Sequence, residues 1–179
     1  ELLNSNQTGV EFNNVIEDKK EHNILLYANY YGGAGVGIAD FDNDGLQDLY
    51  FGGNLVADKI YKNSGNFKFT DKTKNSGILD NGSWSSGITI ADVDNDGYVD
   101  VYVSKELYDD QPELRRNKLY INKGDFTFEE SSKQWGVDVS ARTRHAVFFD
   151  YNNDGYLDLY LLNQPPNPGS YSKFFGADL

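Results

Sequence analysis

One acidic nonapeptide, written three times, limits what this chain can fold into: DFDNDGLQD over Asp40–Asp48, DVDNDGYVD over Asp92–Asp100 and DYNNDGYLD over Asp150–Asp158. Oxygen side chains at positions 1, 3, 5 and 9, with a glycine at 6 for a sharp turn, are what a hard divalent cation needs to gather six or more oxygens, and calcium is the ion expected. The first candidate site is Asp40, Asp42, Asp44 and Asp48 with the backbone carbonyl of Leu46; the second is Asp92, Asp94, Asp96 and Asp100 with that of Tyr98. The third is Asp150, Asn152, Asp154 and Asp158 with the carbonyl of Tyr156, so the chain is expected to take up to three Ca²⁺. Asp, Asn and Gly also dominate plain hairpin turns for conformational reasons. A turn is expected to gain nothing from an Asp at position 9, and three copies favour the metal reading over turn chemistry alone. Asn152 leaves the third loop with one carboxylate fewer, so it is expected to be the weakest site.

An EF-hand begins in the same way but needs a Glu at position 12 and a helix on either side. Position 12 is Phe51, Val103 and Leu161, and each loop runs into a β-prone segment such as Leu49-Tyr50-Phe51 or Val101-Tyr102-Val103. Each site is therefore expected on a strand-loop-strand hairpin. Strands are read in the first repeat near 36–41, 48–52, 59–63 and 67–70.

The repetition extends beyond the loops, because KIYKNSGNFKFTDKTKNSGI from Lys59 aligns with KLYINKGDFTFEESSKQWGV from Lys118 at a constant offset. A period of roughly fifty to sixty residues carrying about four short strands is the signature of propeller blades. The fold expected is all-β, about three β-propeller blades of a larger ring: a lead-in over 1–30, as a strand or a segment packed on the blade, then repeats over 31–80, 81–138 and, in part, 139–179. The Pro- and Gly-rich residues after Asn163 read as a connection toward a further blade, and an insert around Glu106 to Arg116 lengthens the second repeat.

With these motifs the chain resembles the calcium-binding FG-GAP or VCBS repeats of integrin α-subunit propellers and bacterial surface proteins. It is most similar to the bacterial VCBS-repeat proteins that often carry an ASPIC/UnbV domain. The resemblance rests on NILLYANYYGGAGVGIADFDNDGLQDLYFGGN, NKLYINKGDFTFEE and FFDYNNDGYLDLYLLN. It implies a non-enzymatic, calcium-binding module that binds a protein or glycan, extracellular or held at a bacterial outer membrane as a lipoprotein, and serving an outer-membrane transport or assembly complex. The membrane would be reached only through an upstream lipid anchor.

Composition narrows the function classes. Eleven of the 28 acidic residues lie in the three loops, so three calcium ions would halve the formal net charge of −12. No basic stripe offers itself to phosphates, which argues against nucleic acid as a partner; Arg115, Arg116 and Lys118 are read as a solvated loop. The chain has no cysteine, hence neither a disulfide nor a thiolate metal site. No apolar run reaches the roughly 18 residues that span a membrane. His22 and His145 are the only histidines, and neither has a nucleophile partner in sequence; His145 is read as a packed or capping residue. Gly32-Gly33-Ala34-Gly35-Val36-Gly37 lacks a Gly-Lys-Ser/Thr ending and is read as close backbone packing near a propeller axis. Tyr27, Tyr30, Tyr31, Trp84 and Trp135 are read mainly as packing between blades. The rival function is the propeller part of a polysaccharide-degrading enzyme whose active site lies in further blades.

Overall fold

The computed structural model describes residues 2–78 and 82–165, so the expected connection after Asn163 falls largely outside the described residues. Among the described residues ten strands form, in chain order, two four-stranded antiparallel meanders and a hairpin. β1 (Val36–Ala39), β2 (Asp48–Phe51), β3 (Lys59–Asn63) and β4 (Phe69–Asp71) make the first sheet, β5 (Ser85–Ala91), β6 (Asp100–Lys105), β7 (Lys118–Asn122) and β8 (Phe128–Glu130) the second. β9 (Arg142–Phe149) and β10 (Asp158–Gln164) form a hairpin in register Phe149↔Asp158. Every acidic loop joins the first two strands of its sheet, and position 9 is the first residue of the second strand.

β6 is buried at all six positions because the second sheet is covered on both faces, by the first sheet and by the third. Phe41, Tyr50, Ile60, Val101, Val103, Tyr120, Phe126 and Phe128 form the core between the first and second sheets. Tyr102, Leu119, Ile121 and Ala146, with Phe148 and Leu161, fill the space between the second and the third. The first strands of the three sheets run against one another. A Cβ on Gly37 of β1 would meet Ile90 Cδ1 at 2.7 Å, and one on Gly87 of β5 would meet the carbonyl of Arg144 on β9 at 2.8 Å. At Gly87 glycine is required because backbone meets backbone with no room for a Cβ, whereas at Gly37 the isoleucine side chains would have to give way. Hydrogen bonds then tie sheet to sheet: Ser85 N–H to Gly53 C=O (2.9 Å), Asn122 Nδ2 to Phe41 C=O (2.7 Å), and Thr89 Oγ1 to Ala146 C=O (2.8 Å).

The lead-in is not a strand within its described residues. It makes a short helical turn, Ser5–Thr8, capped by Asn4, and then packs across the first sheet. Phe12 stacks on Phe51 at 5.0 Å between ring centroids, Glu11 N–H donates to the Tyr61 hydroxyl, and Asn14 and Asn54 bond reciprocally. Tyr27, Tyr30 and Trp84 form a small aromatic core under this segment, with Tyr30 stacked on Trp84 at 5.2 Å. Tyr31 and Trp135, in contrast, are exposed. The insert holds a single 3₁₀ turn, Pro112–Arg115. Its basic residues are not a free solvated loop: Arg115 bonds the Ser140 carbonyl and Asp109, and Arg116 pairs with Glu113 and Asp138. Among the described residues no helix is long and apolar enough to cross a membrane.

Candidate metal centre

The three nonapeptides adopt one backbone shape, held by the same bonds. In each, the position 1 carboxylate accepts two N–H groups: Asp40 from Asp44 (3.0 Å) and Gly45 (2.7 Å), Asp92 from Asp96 (3.1 Å) and Gly97 (3.0 Å), Asp150 from Asp154 (3.1 Å) and Gly155 (2.9 Å). The position 5 carboxylate accepts the N–H of position 7 at 2.9, 2.8 and 2.9 Å, from Leu46, Tyr98 and Tyr156. Position 4 is Asn43, Asn95 or Asn153 with φ of 55, 58 and 60°, and position 6 is Gly45, Gly97 or Gly155 with φ of 87, 91 and 87°. Asparagine and glycine are the residues that enter left-handed backbone at least cost, so sequence and loop shape agree at both positions.

Position 9 corrects the expectation that the turn gains nothing from it. Asp48 is fully buried, one oxygen taking the Phe41 N–H (2.9 Å) and the other that of Asn63 (2.7 Å). Asp100 does the same with Val93 and Asn122, both at 2.8 Å. Each therefore fastens its loop to the third strand of the sheet. Asp158 accepts the Tyr151 N–H (2.9 Å) but stays exposed, because no third strand covers it among the described residues.

Carboxylate oxygens of Asp40, Asp42 and Asp44 lie within 4.8 Å of one another, as do those of Asp92, Asp94 and Asp100. Asp48 is not part of the first group, nor Asp96 of the second. Among the described residues the third loop brings no three carboxylates that close, and its Asn152 amide donates to Asp154 Oδ2 at 2.8 Å. The donor set fits a hard cation: in the first loop Oδ1 of Asp42 is buried without a hydrogen-bond partner, an acceptor left open although a lysine pairs with its Oδ2.

Electrostatics separate the loops. Burial pushes the Asp100 carboxyl up to about 6, with the charges of Asp94 and Asp96 adding to the rise against its two backbone bonds. Burial raises Asp48 as well. The first loop also holds a side chain that the loop motif does not contain. The ammonium of Lys62, on β3, pairs with Asp42 and lies 2.9 Å from Asp44 Oδ2. The pairing holds Asp44 below the ordinary carboxylate range and raises Lys62. Its trace in the sequence is one mismatch between aligned segments, KIYKN against KLYIN, where Lys62 corresponds to Ile121.

Away from the loops, the histidines are far from these groups in role and setting. His22 meets Tyr108 edge-on at 5.3 Å. His145 lies within β9, exposed but with its ring beside Gly87 of β5, and is not buried as a core residue. At the opposite end of the strands, buried Asp58 accepts from the Tyr50 hydroxyl (2.9 Å), the Gly53 N–H (2.7 Å) and the Ser85 hydroxyl (2.7 Å), 3.8 Å from the Lys105 ammonium. Glu106, also buried, pairs with Arg144 of β9 at 2.8 Å. These charges carry no local motif, and the sequence reading did not find them.

The FG-GAP-like repeat model matches residues 40–103 and 109–161, which include all three acidic loops. The chain is also 24% identical over 147 residues to cartilage acidic protein 1 of Xenopus tropicalis, an alignment covering 82% of this chain and 22% of that protein. The chain thus spans about a fifth of the relative's length. Meander sheets, loops between their first two strands, and a family match over most of the sequence agree: the chain belongs to the FG-GAP-like repeat family.

Proposed function

We propose that this chain is a calcium-stiffened segment of a β-propeller, non-enzymatic, which presents a rigid surface to a protein or glycan partner outside the cell. The observation that carries the reading is the loop geometry repeated three times, with converging carboxylates in the first two copies and the partnerless buried oxygen of Asp42. Asp40, Asp42 and Asp44 would hold an ion in the first loop and Asp92, Asp94 and Asp100 in the second. Asp150, Asn152 and Asp154 would supply a third with fewer charges. Bound calcium would neutralise carboxylates that otherwise repel one another, and binding energy of that kind becomes folding energy. Sites of modest affinity suit the millimolar calcium found outside cells. The relative's name, an acidic protein of cartilage, fits such a location. A lipid anchor, a bacterial outer membrane and a transport or assembly complex rest on the VCBS resemblance alone and are the finer part of the proposal.

The test is thermal unfolding of the protein in EGTA and in millimolar calcium, with calorimetry for stoichiometry. A rise in midpoint of several degrees and up to three binding events are expected. An unchanged midpoint together with no binding heat would overturn the reading.

A further inference from the structure

The first two loops share a backbone but differ in what surrounds their carboxylates. Lys62 leaves β3 and reaches into the first loop, its ammonium shared between Asp42 and Asp44, 5.8 Å from the centre of the Phe126 ring of the second sheet. In the second sheet the matching position is Ile121, which is buried in the core against the third sheet. Lys123, two residues further on, pairs with Glu129 at 2.8 Å and feels the charges of Asp94 and Asp100 only from a distance. Among the described residues the first loop therefore holds an ammonium in contact with its carboxylates, whereas the ammonium of Lys123 beside the second is paired elsewhere.

Resting on the calcium reading above, we propose that Lys62 is a built-in competitor for the divalent cation of the first loop. An ion entering there must displace the ammonium from Asp42 and Asp44, and that exchange costs affinity the second loop keeps. The loops then fill in order, the second at lower calcium and the first at higher. Filling the first frees Lys62 beside Phe126 at the junction of two sheets. The loops touch at this junction, Asn43 Nδ2 donating to the Gly97 carbonyl at 3.0 Å. Ligand charge is one determinant of calcium affinity, and an ammonium in contact with two ligands removes one unit of it.

The amides of Gly45 and Gly97, each bonded to the position 1 carboxylate of its own loop, report the two sites separately in a ¹H–¹⁵N NMR titration with calcium chloride. In the wild-type protein the Gly45 midpoint is expected at higher calcium than that of Gly97. Lys62→Ile, the residue of the matching position, should lower the Gly45 midpoint at least tenfold, about 1.4 kcal/mol, and leave Gly97 within twofold. Lys62→Met, which keeps an unbranched stem against Phe126, should do the same if the isoleucine variant does not fold. In wild type, the Lys62 side-chain ammonium signal should change at the calcium concentration that shifts Gly45, not at the one that shifts Gly97. Gly45 and Gly97 moving at equal calcium, or a Gly45 midpoint within twofold of wild type in both variants, would overturn the role of Lys62 while leaving calcium binding intact. Neither amide moving at any calcium concentration would sink the binding reading and the competitor with it.

Discussion

Replacing Lys105 by methionine should be among the costliest single changes in this protein, although it lies at the end of the strands away from the acidic loops. Lys105 is 2% exposed and its ammonium is 3.8 Å from the fully buried side chain of Asp58, with the Ser85 hydroxyl bridging the two at 2.8 and 2.7 Å. The three residues come from β6, the approach to β3, and β5, so the network joins the first sheet to the second. Methionine restores most of the volume, and a volume-conserving swap by itself costs less than about 1.5 kcal/mol. The larger effect is the charge left on Asp58. Breaking a buried pair from one side costs about 3–5 kcal/mol, reduced here because Asp58 keeps the donors Tyr50, Gly53 and Ser85. We expect a loss of about 3 kcal/mol, which for a chain of this size lowers the midpoint by about 6–12 °C. The assay is urea and thermal unfolding at fixed calcium, run as a double-mutant cycle with Asp58→Asn. The double variant should recover at least about 1 kcal/mol of the summed losses, since it removes both charges. A Lys105→Met loss under about 1 kcal/mol, or strict additivity, would refute the reasoning.

Asp100 should titrate near 6 in the calcium-free protein, followed by its carboxyl carbon shift. Its folded value lies above the unfolded value of about 4, so its contribution to stability is complete below about pH 4 and lost as pH rises through about 6. Comparing wild type with Asp100→Asn across that window in EGTA isolates it, and a titration near 4 would remove the argument. Gly97→Ala should cost about 1–2 kcal/mol through left-handed backbone alone, because φ is 91° and nothing lies within 4 Å of the added Cβ; chemical denaturation measures it, and no loss would contradict the loop geometry. Asn152→Asp replaces the amide that bonds Asp154 by a like charge, so it should weaken the calcium-free fold and tighten the third site by about tenfold. Calorimetry finding weaker binding would count against ligand charge as the controlling factor.

The acidic nonapeptides were legible without coordinates because their content is local. A glycine at position 6, oxygen side chains at positions 1, 3, 5 and 9 and β-prone flanks determine a strand-loop-strand hairpin over a few residues, and β2, β3, β6 and β7 follow at the expected places. The repeat of Lys59–Ile78 over Lys118–Val137 likewise made the meander visible, since four short strands in series pair with their nearest neighbours. The lead-in escaped this logic. Val10, Phe12, Asn14 and Ile16 lie on its covered side in alternation, yet it forms no strand, and what holds it is Phe12 on Phe51 and Asn14 on Asn54, contacts across some forty residues that no local pattern encodes.

Position 9 divides the two kinds of information most sharply. The sequence determined that Asp48, Asp100 and Asp158 are carboxylates at the head of a strand. Only tertiary structure decided that the first two are sealed beneath a third strand and clamp Asn63 and Asn122, while the third stays exposed. Lys62 is the same lesson with the sign of the charge reversed: the chain specified a lysine where its repeat has isoleucine, and the fold decided that its ammonium lies among the acids of the first loop. Residue type and loop shape are set by neighbours along the chain, whereas burial and charge pairing depend on which sheet packs against which, and that is fixed only when distant strands meet.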